Sequence, residues 1–337
     1  MPMTNTARAF WIRSPGVGEI VPSELGPAGP GRVLVRAAFS AISRGTESLV
    51  YRGRVPASQH EVMRAPFQEG RFPAPLKYGY ASVGRVVKDS EAGAAPPPRE
   101  LDGRWVFCLH PHQDLYRVPA TAVTPLPDGL PPGRAVLAAA METAVNGVWD
   151  GRPAVGDRVV VIGGGVIGLL AAWLCRRIPG TEVTVVDVDP GREPVARALG
   201  LRLTTDPPPE GSADLVIHAS GEPEGLRVAL GAAGDEATVL ELSWYGDRAV
   251  ELPLGEAFHH RRLRIQSSQV SRLSPERVPR WDAARRMELG LTLLRDDSRL
   301  DHLVSGESDF DELPRVMDEL SRSGSRALCH RIRYPDG

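Results

Sequence analysis

A chain of 337 residues exceeds the size at which a single hydrophobic core stops growing, so two domains are expected. Hydrophobic residues at 42% and charged residues at 24% match ordinary globular usage and exclude a disordered or fibrous chain. The 40 Lys plus Arg against 42 Asp plus Glu leave a net charge of −2, which gives no field to hold nucleic acid or an anionic membrane, so a small-molecule partner is expected.

Cys108, Cys175 and Cys329 lie far apart and match neither a disulfide framework nor a CxxC metal pattern, which fits a cytoplasmic chain. No apolar run reaches the ~20 residues of a membrane span, and the N-terminus carries no apolar run of signal-peptide length. Up to about residue 125 the chain reads as short β segments broken by Gly and Pro, among them 32–38, 81–87, 105–109 and 115–118. The segment 56–75, with His60, Met63, Arg64 and Phe67, is long enough for a lid or substrate wall, or else for a surface or oligomer loop. Residues 92–98 read as an exposed proline-rich loop, and 126–150 turn helical.

From about 156 the pattern becomes strand, glycine turn, helix, strand, with strands at 158–162, 182–186, 214–219 and 238–243 and helices at 166–177 and 193–199. Alternation of this length predicts an α/β unit with a doubly wound parallel sheet. A strand at 261–267, amphipathic helices at 280–295 and 310–322, and a last strand at 327–334 follow.

The strongest local signal is Gly163-Gly164-Gly165-Val166-Ile167-Gly168, placed between an apolar strand and an apolar helix. Gly163 permits the tight turn, Gly165 lets the backbone approach a pyrophosphate, and Gly168 lets helix and strand pack closely. The helix N-terminus at Val166 and Ile167 then faces the anion. Asp187 closes the second strand, where a carboxylate accepts hydrogen bonds from the adenosine ribose diol and repels a 2′-phosphate. NAD(H) is therefore expected over NADP(H), although Arg192 offers a cation that covers adenine or tolerates a phosphate.

The nucleotide unit lies mid-chain between β-rich sequence, and Val33-Leu34-Val35-Arg36, Gly45-Thr46-Glu47, Gly79-Tyr80-Ala81-Ser82-Val83-Gly84, Gly103-Arg104-Trp105-Val106-Phe107 and Gly156-Asp157-Arg158-Val159 occur in order around it. In these motifs the chain resembles the medium-chain dehydrogenase/reductase superfamily over nearly its whole length. The resemblance implies a GroES-like β-rich catalytic domain at 1–135, completed by 271–337, and a Rossmann nucleotide-binding domain at 136–270. Zinc alcohol dehydrogenases of that superfamily hold their catalytic metal with Cys, His, and Cys or Glu; the matching places here hold Arg44, Tyr80 and the alanines of 138–140. The four-cysteine lobe for structural zinc is absent as well, because Gln113 leads almost directly into the strand at 115–118. Ser43-Arg44-Gly45-Thr46-Glu47 and His110-Pro111-His112-Gln113 resemble a zinc-lacking branch of bacteriochlorophyllide a dehydrogenase-type proteins, so no zinc is expected.

Without a metal, some side chain must stabilise the charge that develops on the substrate oxygen. Tyr80, in the lost histidine's place, is the candidate donor, with packing as the alternative; Thr46 matches the relay hydroxyl that the resemblance implies. His110 and His112 alternate on what reads as a strand end, so they share a face, with His110 as terminal acid or base and His112 in the pocket, or both as polar wall residues. A new metal site from His110, His112 and Asp114 requires the strand to run straight through Pro111. Arg44 and Lys77 are candidates to bind an anionic substrate group, and Glu142 is a pocket residue or a helix-start carboxylate. The loops carrying Ser220, and Ser243 with Trp244, close strands at the C-terminal edge of the sheet, where open sheets bind cofactors.

These readings converge on a zinc-independent NAD(H)-dependent oxidoreductase that interconverts a secondary alcohol and its ketone. The alternatives are a C=C or C=N reductase and a nucleotide-binding protein without turnover. The resemblance further implies a homodimer or homotetramer.

Overall fold

A computed structural model describes residues 7–91, 93–322 and 324–335; the ends of the first expected domain's range and residue 92 of the proline-rich insert lie outside them. In chain order the elements begin with strands β1 (Ala7–Ser14), β2 (Val17–Ser23) and β3 (Arg32–Ile42) and helix α1 (Arg44–Tyr51). Strands β4 (Glu69–Gly70), β5 (Leu76–Lys77), β6 (Ser82–Val87), β7 (Trp105–Cys108), β8 (Leu115–Pro119) and β9 (Val123–Pro125) follow, then helices α2 (Pro132–Ala135) and α3 (Ala138–Gly151). The nucleotide-type unit contributes β10 (Arg158–Ile162), α4 (Val166–Cys175), β11 (Glu182–Val186), α5 (Glu193–Ala198), β12 (Arg202–Thr204) and β13 (Ala213–His218). It continues with α6 (Pro223–Ala232), β14 (Ala233–Glu241), α7 (Ala257–His260) and β15 (Arg264–Ser267). The chain closes with α8 (Ala283–Asp296), β16 (Val304–Asp309), α9 (Leu313–Leu320) and β17 (Cys329–Arg333).

The first unit comprises residues 1–139, 291–298 and 304–337, and the second 140–290 and 299–303. Residues 271–290, expected with the first unit, thus group with the second.

In the first unit, β2, β1, β5 and β4 form one sheet, and β16, β17, β3, β6, β7 and β9 form another in which β8 also pairs with β3. Strand β3 pairs antiparallel with β6, β8 and β17. Its run Val33, Leu34 and Val35 is buried on both faces, which is why it reads as continuously apolar. Helix α9 follows a capping box in which the Asp309 N–H donates to the Glu312 carboxylate. It buries Leu313, Val316 and Met317 at helical spacing.

The second unit holds a six-stranded, wholly parallel sheet in the order β12-β11-β10-β13-β14-β15. Renumbered within the unit this is 3-2-1-4-5-6, the doubly wound order that binds dinucleotides where it reverses, between β10 and β13. Val159, Val160, Val161 and Ile162 are buried between helix layers, each contributing about 1.5–3 kcal/mol of apolar burial. Helix α4 is apolar all round because seven of its residues are buried. Among the described residues no helix is long and apolar enough to cross a membrane.

Candidate active and cofactor sites

In the second unit the glycine turn leaves β10 at the point of order reversal. Gly163 has a φ of 109°, and a Cβ there would lie 2.6 Å from the Ser220 amide nitrogen. A Cβ on Gly168 would lie 1.9 Å from the Gly163 carbonyl oxygen, so helix and turn pack as closely as the fingerprint demands. Gly165 is the N-cap of α4, makes no side-chain cap, and has nothing within 4 Å of where its Cβ would stand. The first-turn amides at Val166 and Ile167 thus border open space that an anion can fill.

Asp187 lies one residue past β11, and its Oδ2 accepts from the Gly164 N–H at 2.6 Å while its Oδ1 accepts from the Asp189 N–H at 2.8 Å. A carboxylate has about four acceptor positions, so these bonds orient it and leave capacity for hydroxyl donors. Arg192 is buried, with its Nε 3.7 Å from Asp189 Oδ2.

At the ends of β13 and β14 a polar network holds the two expected cofactor loops. His218 is fully buried, with Nδ1 2.8 Å from Glu241 Oε2 and Nε2 2.6 Å from the Ser220 hydroxyl. The Glu241 carboxylate also accepts from the Ser243 N–H at 2.7 Å and from the Tyr245 hydroxyl at 2.9 Å, and the Ser243 hydroxyl accepts from the Gly221 N–H at 3.0 Å. Burial, with Glu241 adding to it, raises the Tyr245 pKa. Ser220 and Ser243 are thus brought together, and Trp244 beside them is half-buried. Sequence reasoning missed Glu241, although the loops carrying Ser220 and Ser243 marked the spot.

In the first unit, α1 starts at Arg44, and the Glu47 carboxylate reaches back to accept from the Ser43 N–H at 2.8 Å. The Ser43 hydroxyl is left uncommitted to the cap and, with the Thr46 hydroxyl, lies near enough to Tyr80 to act on its phenol. Burial, then the Glu47 charge, push the Tyr80 phenol up to about 12, against the lowering by those two hydroxyls. The Tyr78 ring meets Tyr80 edge-on at 6.1 Å. Tyr80 and Thr46 are therefore neighbours, as their motifs suggested.

The other expected residues part company. His110 and His112 do not extend a strand, because β7 ends at Cys108 and Pro111 breaks the alternation. The expected shared face is absent. The His112 imidazole points to Glu47, Nε2 to Oε2 at 2.9 Å, and to the Ser40 hydroxyl from Nδ1 at 2.7 Å. The His110 ring stacks on Tyr116 with centroids 3.7 Å apart, has Phe67 at 5.5 Å, and fixes its Nδ1 on the Pro111 carbonyl at 2.9 Å. Burial lowers the His110 pKa to about 3, so near neutral pH the ring is uncharged and its one N–H is spent on the Pro111 carbonyl. Lys77 is fully buried and donates to Gln113 at 2.6 Å and to Glu69. Arg44 donates to the Ser325 carbonyl at 2.7 Å, tying α1 to the loop before β17.

In the second unit, Glu142 accepts from Arg286 at 3.0 Å, and Arg286 also donates to Asn146 and to the Val270 carbonyl. Glu142 and Arg286 are both buried, and burial raises the Glu142 pKa against the pull of Arg286. Through Arg286 of α8, Glu142 thus ties α3 to α8 and to the segment before it.

No protein-family model matches the chain. An L-threonine 3-dehydrogenase of Sinorhizobium medicae is 29% identical over 252 residues, 69% of this chain and 71% of that protein. A putative zinc-binding dehydrogenase of Sinorhizobium meliloti, solved with NADP, superposes with a TM-score of 0.75 at 18% identity, over 98% of this chain and 100% of its own. An Escherichia coli short chain alcohol dehydrogenase, solved with NADH, does so with a TM-score of 0.75 at 16% identity, over 98% and 100%. The chain is thus homologous to dehydrogenases of the medium-chain dehydrogenase/reductase type and has their two-domain α/β fold.

Proposed function

We propose that the chain is a zinc-independent, NAD(H)-dependent oxidoreductase that interconverts a secondary alcohol and its ketone, in the zinc-lacking branch that its motifs resemble. The observation that carries this reading is the cradle at the sheet's order reversal: an uncapped α4 N-terminus open at Gly165, with the Asp187 carboxylate oriented beside it. Bound there, NAD(H) would supply or accept the hydride. Asp187 and Asp189 together disfavour a 2′-phosphate, and the Arg192 guanidinium is drawn onto Asp189.

Tyr80 is the proposed oxygen-handling group. With its pKa pushed up to about 12, the phenol keeps its proton at neutral pH and donates it toward the charge that develops on a carbonyl oxygen. The Thr46 and Ser43 hydroxyls lie beside the phenol. Zinc needs three or four Cys, His, Asp or Glu donors. The residues at Arg44, Tyr80 and 138–140 do not fit it, and among the described residues no group of three such donors could hold a metal.

The test is to incubate the purified chain with NAD+ and a panel of secondary alcohols, L-threonine and a vicinal diol among them, and to follow the nicotinamide absorbance. Turnover of at least one, with no stoichiometric zinc by elemental analysis, is expected. NADH binding without turnover of any alcohol or ketone would leave a nucleotide-binding protein, and one zinc per chain would refute the metal-free site.

A further inference from the structure

In the second unit, a hydroxyl, an imidazole and a carboxylate stand in line at the ends of β13 and β14. His218 closes β13 and Glu241 closes β14, and the parallel pairing sets the two residues opposite each other. The His218 ring is fully buried, whereas Ser220, two residues further along the chain, is exposed. The base is thus kept out of water and the hydroxyl faces it.

Valence fixes the direction of each bond. A carboxylate only accepts, so in the neutral ring the proton sits on Nδ1, 2.8 Å from Glu241 Oε2. Nε2 is then an acceptor, and the Ser220 hydroxyl, 2.6 Å away, donates its proton to it. The Glu222 N–H donates to the same hydroxyl oxygen at 3.1 Å, which favours negative charge developing there. Glu241 is itself held by the Ser243 N–H at 2.7 Å and the Tyr245 hydroxyl at 2.9 Å. Gly225 leaves room for the pair: it stands inside α6, where helices disfavour glycine, and a Cβ there would lie 2.4 Å from Ser220 Oγ and 2.6 Å from His218 Nε2. A nucleophile in hydrogen-bond reach of a base that a third group orients is the arrangement acyl transfer requires.

We propose that Ser220 is a nucleophile that accepts acyl groups from activated esters, with His218 as its general base and Glu241 positioning the ring. The Ser220 oxygen bonds to the acyl carbon while its proton passes to His218 Nε2. The bond from that carbon to the alcohol oxygen breaks, and the alcohol leaves with the proton. Water, giving its proton to His218, then cleaves the acyl-serine to the free acid and restores the hydroxyl. All the residues involved belong to the second unit, and the proposal does not rest on the oxidoreductase reading.

The test is to mix the full chain, without nucleotide, with 4-nitrophenyl acetate, follow 4-nitrophenolate release and map the acetylated residue by peptide mass spectrometry. A burst of about one equivalent per chain, with acetyl on Ser220, is expected. Ser220→Ala should abolish it. His218→Gln keeps a hydrogen-bonding side chain without the base, and should slow acetylation by about 100-fold. Glu241→Gln should slow it by about tenfold or more, and Glu241→Asp, which restores the carboxylate, should recover part of the loss. That recovery separates a carboxylate acting through His218 from one that only holds the loops. Should His218→Gln fail to fold, the two Glu241 variants decide. No burst, acetyl on another residue, or an unchanged rate in His218→Gln or Glu241→Gln overturns the proposal.

Discussion

The Glu47 carboxylate and the His112 imidazole, 65 residues apart in sequence, meet at 2.9 Å with both side chains almost wholly out of water. The carboxylate accepts from the Nε2–H, which leaves Nδ1 to accept from the Ser40 hydroxyl, itself 3.0 Å from the Tyr334 hydroxyl. The same carboxylate caps the backbone at Ser43 and raises the Tyr80 pKa, so α1, the loop after β7 and the candidate phenol depend on one buried group.

Removing that group has two separable consequences. Glu47→Ala leaves the buried His112 N–H and the Ser43 amide without their acceptor and should destabilise the first unit by about 1–3 kcal/mol, read by denaturant unfolding. Glu47→Gln keeps a hydrogen-bond acceptor and removes the charge, so Tyr80 should ionise at lower pH, read as the tyrosinate signal that Tyr80→Phe abolishes. An unchanged titration would mean that Glu47 does not act on the phenol.

The second unit was the more legible in sequence. Val159 to Ile162 and Val183 to Val186 stand out as apolar runs because helices cover both faces of a parallel sheet, and the glycine spacing fixes what joins β10 to α4. Helix α1 was hidden, since Gly45 and Thr46 are poor helix formers and its hold comes from Glu47. Strand β16 was hidden too: Val304–Asp309 has no apolar alternation, and its pairing with β17 makes it a strand. The Glu47 to His112 contact has no local signature, because only the folding of β3, α1 and the loop after β7 brings them together. The alternation of His110 and His112 misled for a local reason, the proline between them.

NADH should bind more tightly than NADPH, because Asp187 has acceptor capacity left for a ribose diol and Asp189 adds a second negative charge. Fluorescence titration with both cofactors reads the ratio. Asp187→Ser should narrow it, at some loss of turn stability, since the Gly164 and Asp189 amides lose an acceptor. Equal affinities in the unaltered chain would mean that Arg192 governs the site.

Stability should fall on the acid side through His110. Its folded pKa of about 3 lies below the ordinary 6.5, so between those values the unfolded chain binds a proton that the folded chain refuses. Stability then rises with pH across that window, by about 1.4 kcal/mol per unit while the difference is complete, and is unaffected by this group above 6.5. His110→Phe keeps a ring against Tyr116 and removes the titration, so its acid limb should be shallower in denaturant unfolding followed against pH. Parallel limbs would show that other groups set the acid sensitivity.

Tyr80→Phe tests the proposed chemistry most directly. The phenol is pushed up to about 12, so near neutral pH it can serve as a fixed donor but not as a base. Loss of one donor aimed at a developing oxyanion costs on the order of 10²–10³ in turnover, and kcat for ketone reduction should fall by about that much. NADH affinity should be unchanged, since its proposed cradle at Gly165 and Asp187 belongs to the other unit. Thr46→Val should cost about tenfold, because the Ser43 hydroxyl remains beside the phenol and water can replace the lost hydroxyl. In the oxidation direction the deficit should be steepest at alkaline pH, where the unaltered phenol begins to yield its proton. Near-normal turnover in Tyr80→Phe, with the ring still edge-on to Tyr78, would make Tyr80 a packing residue.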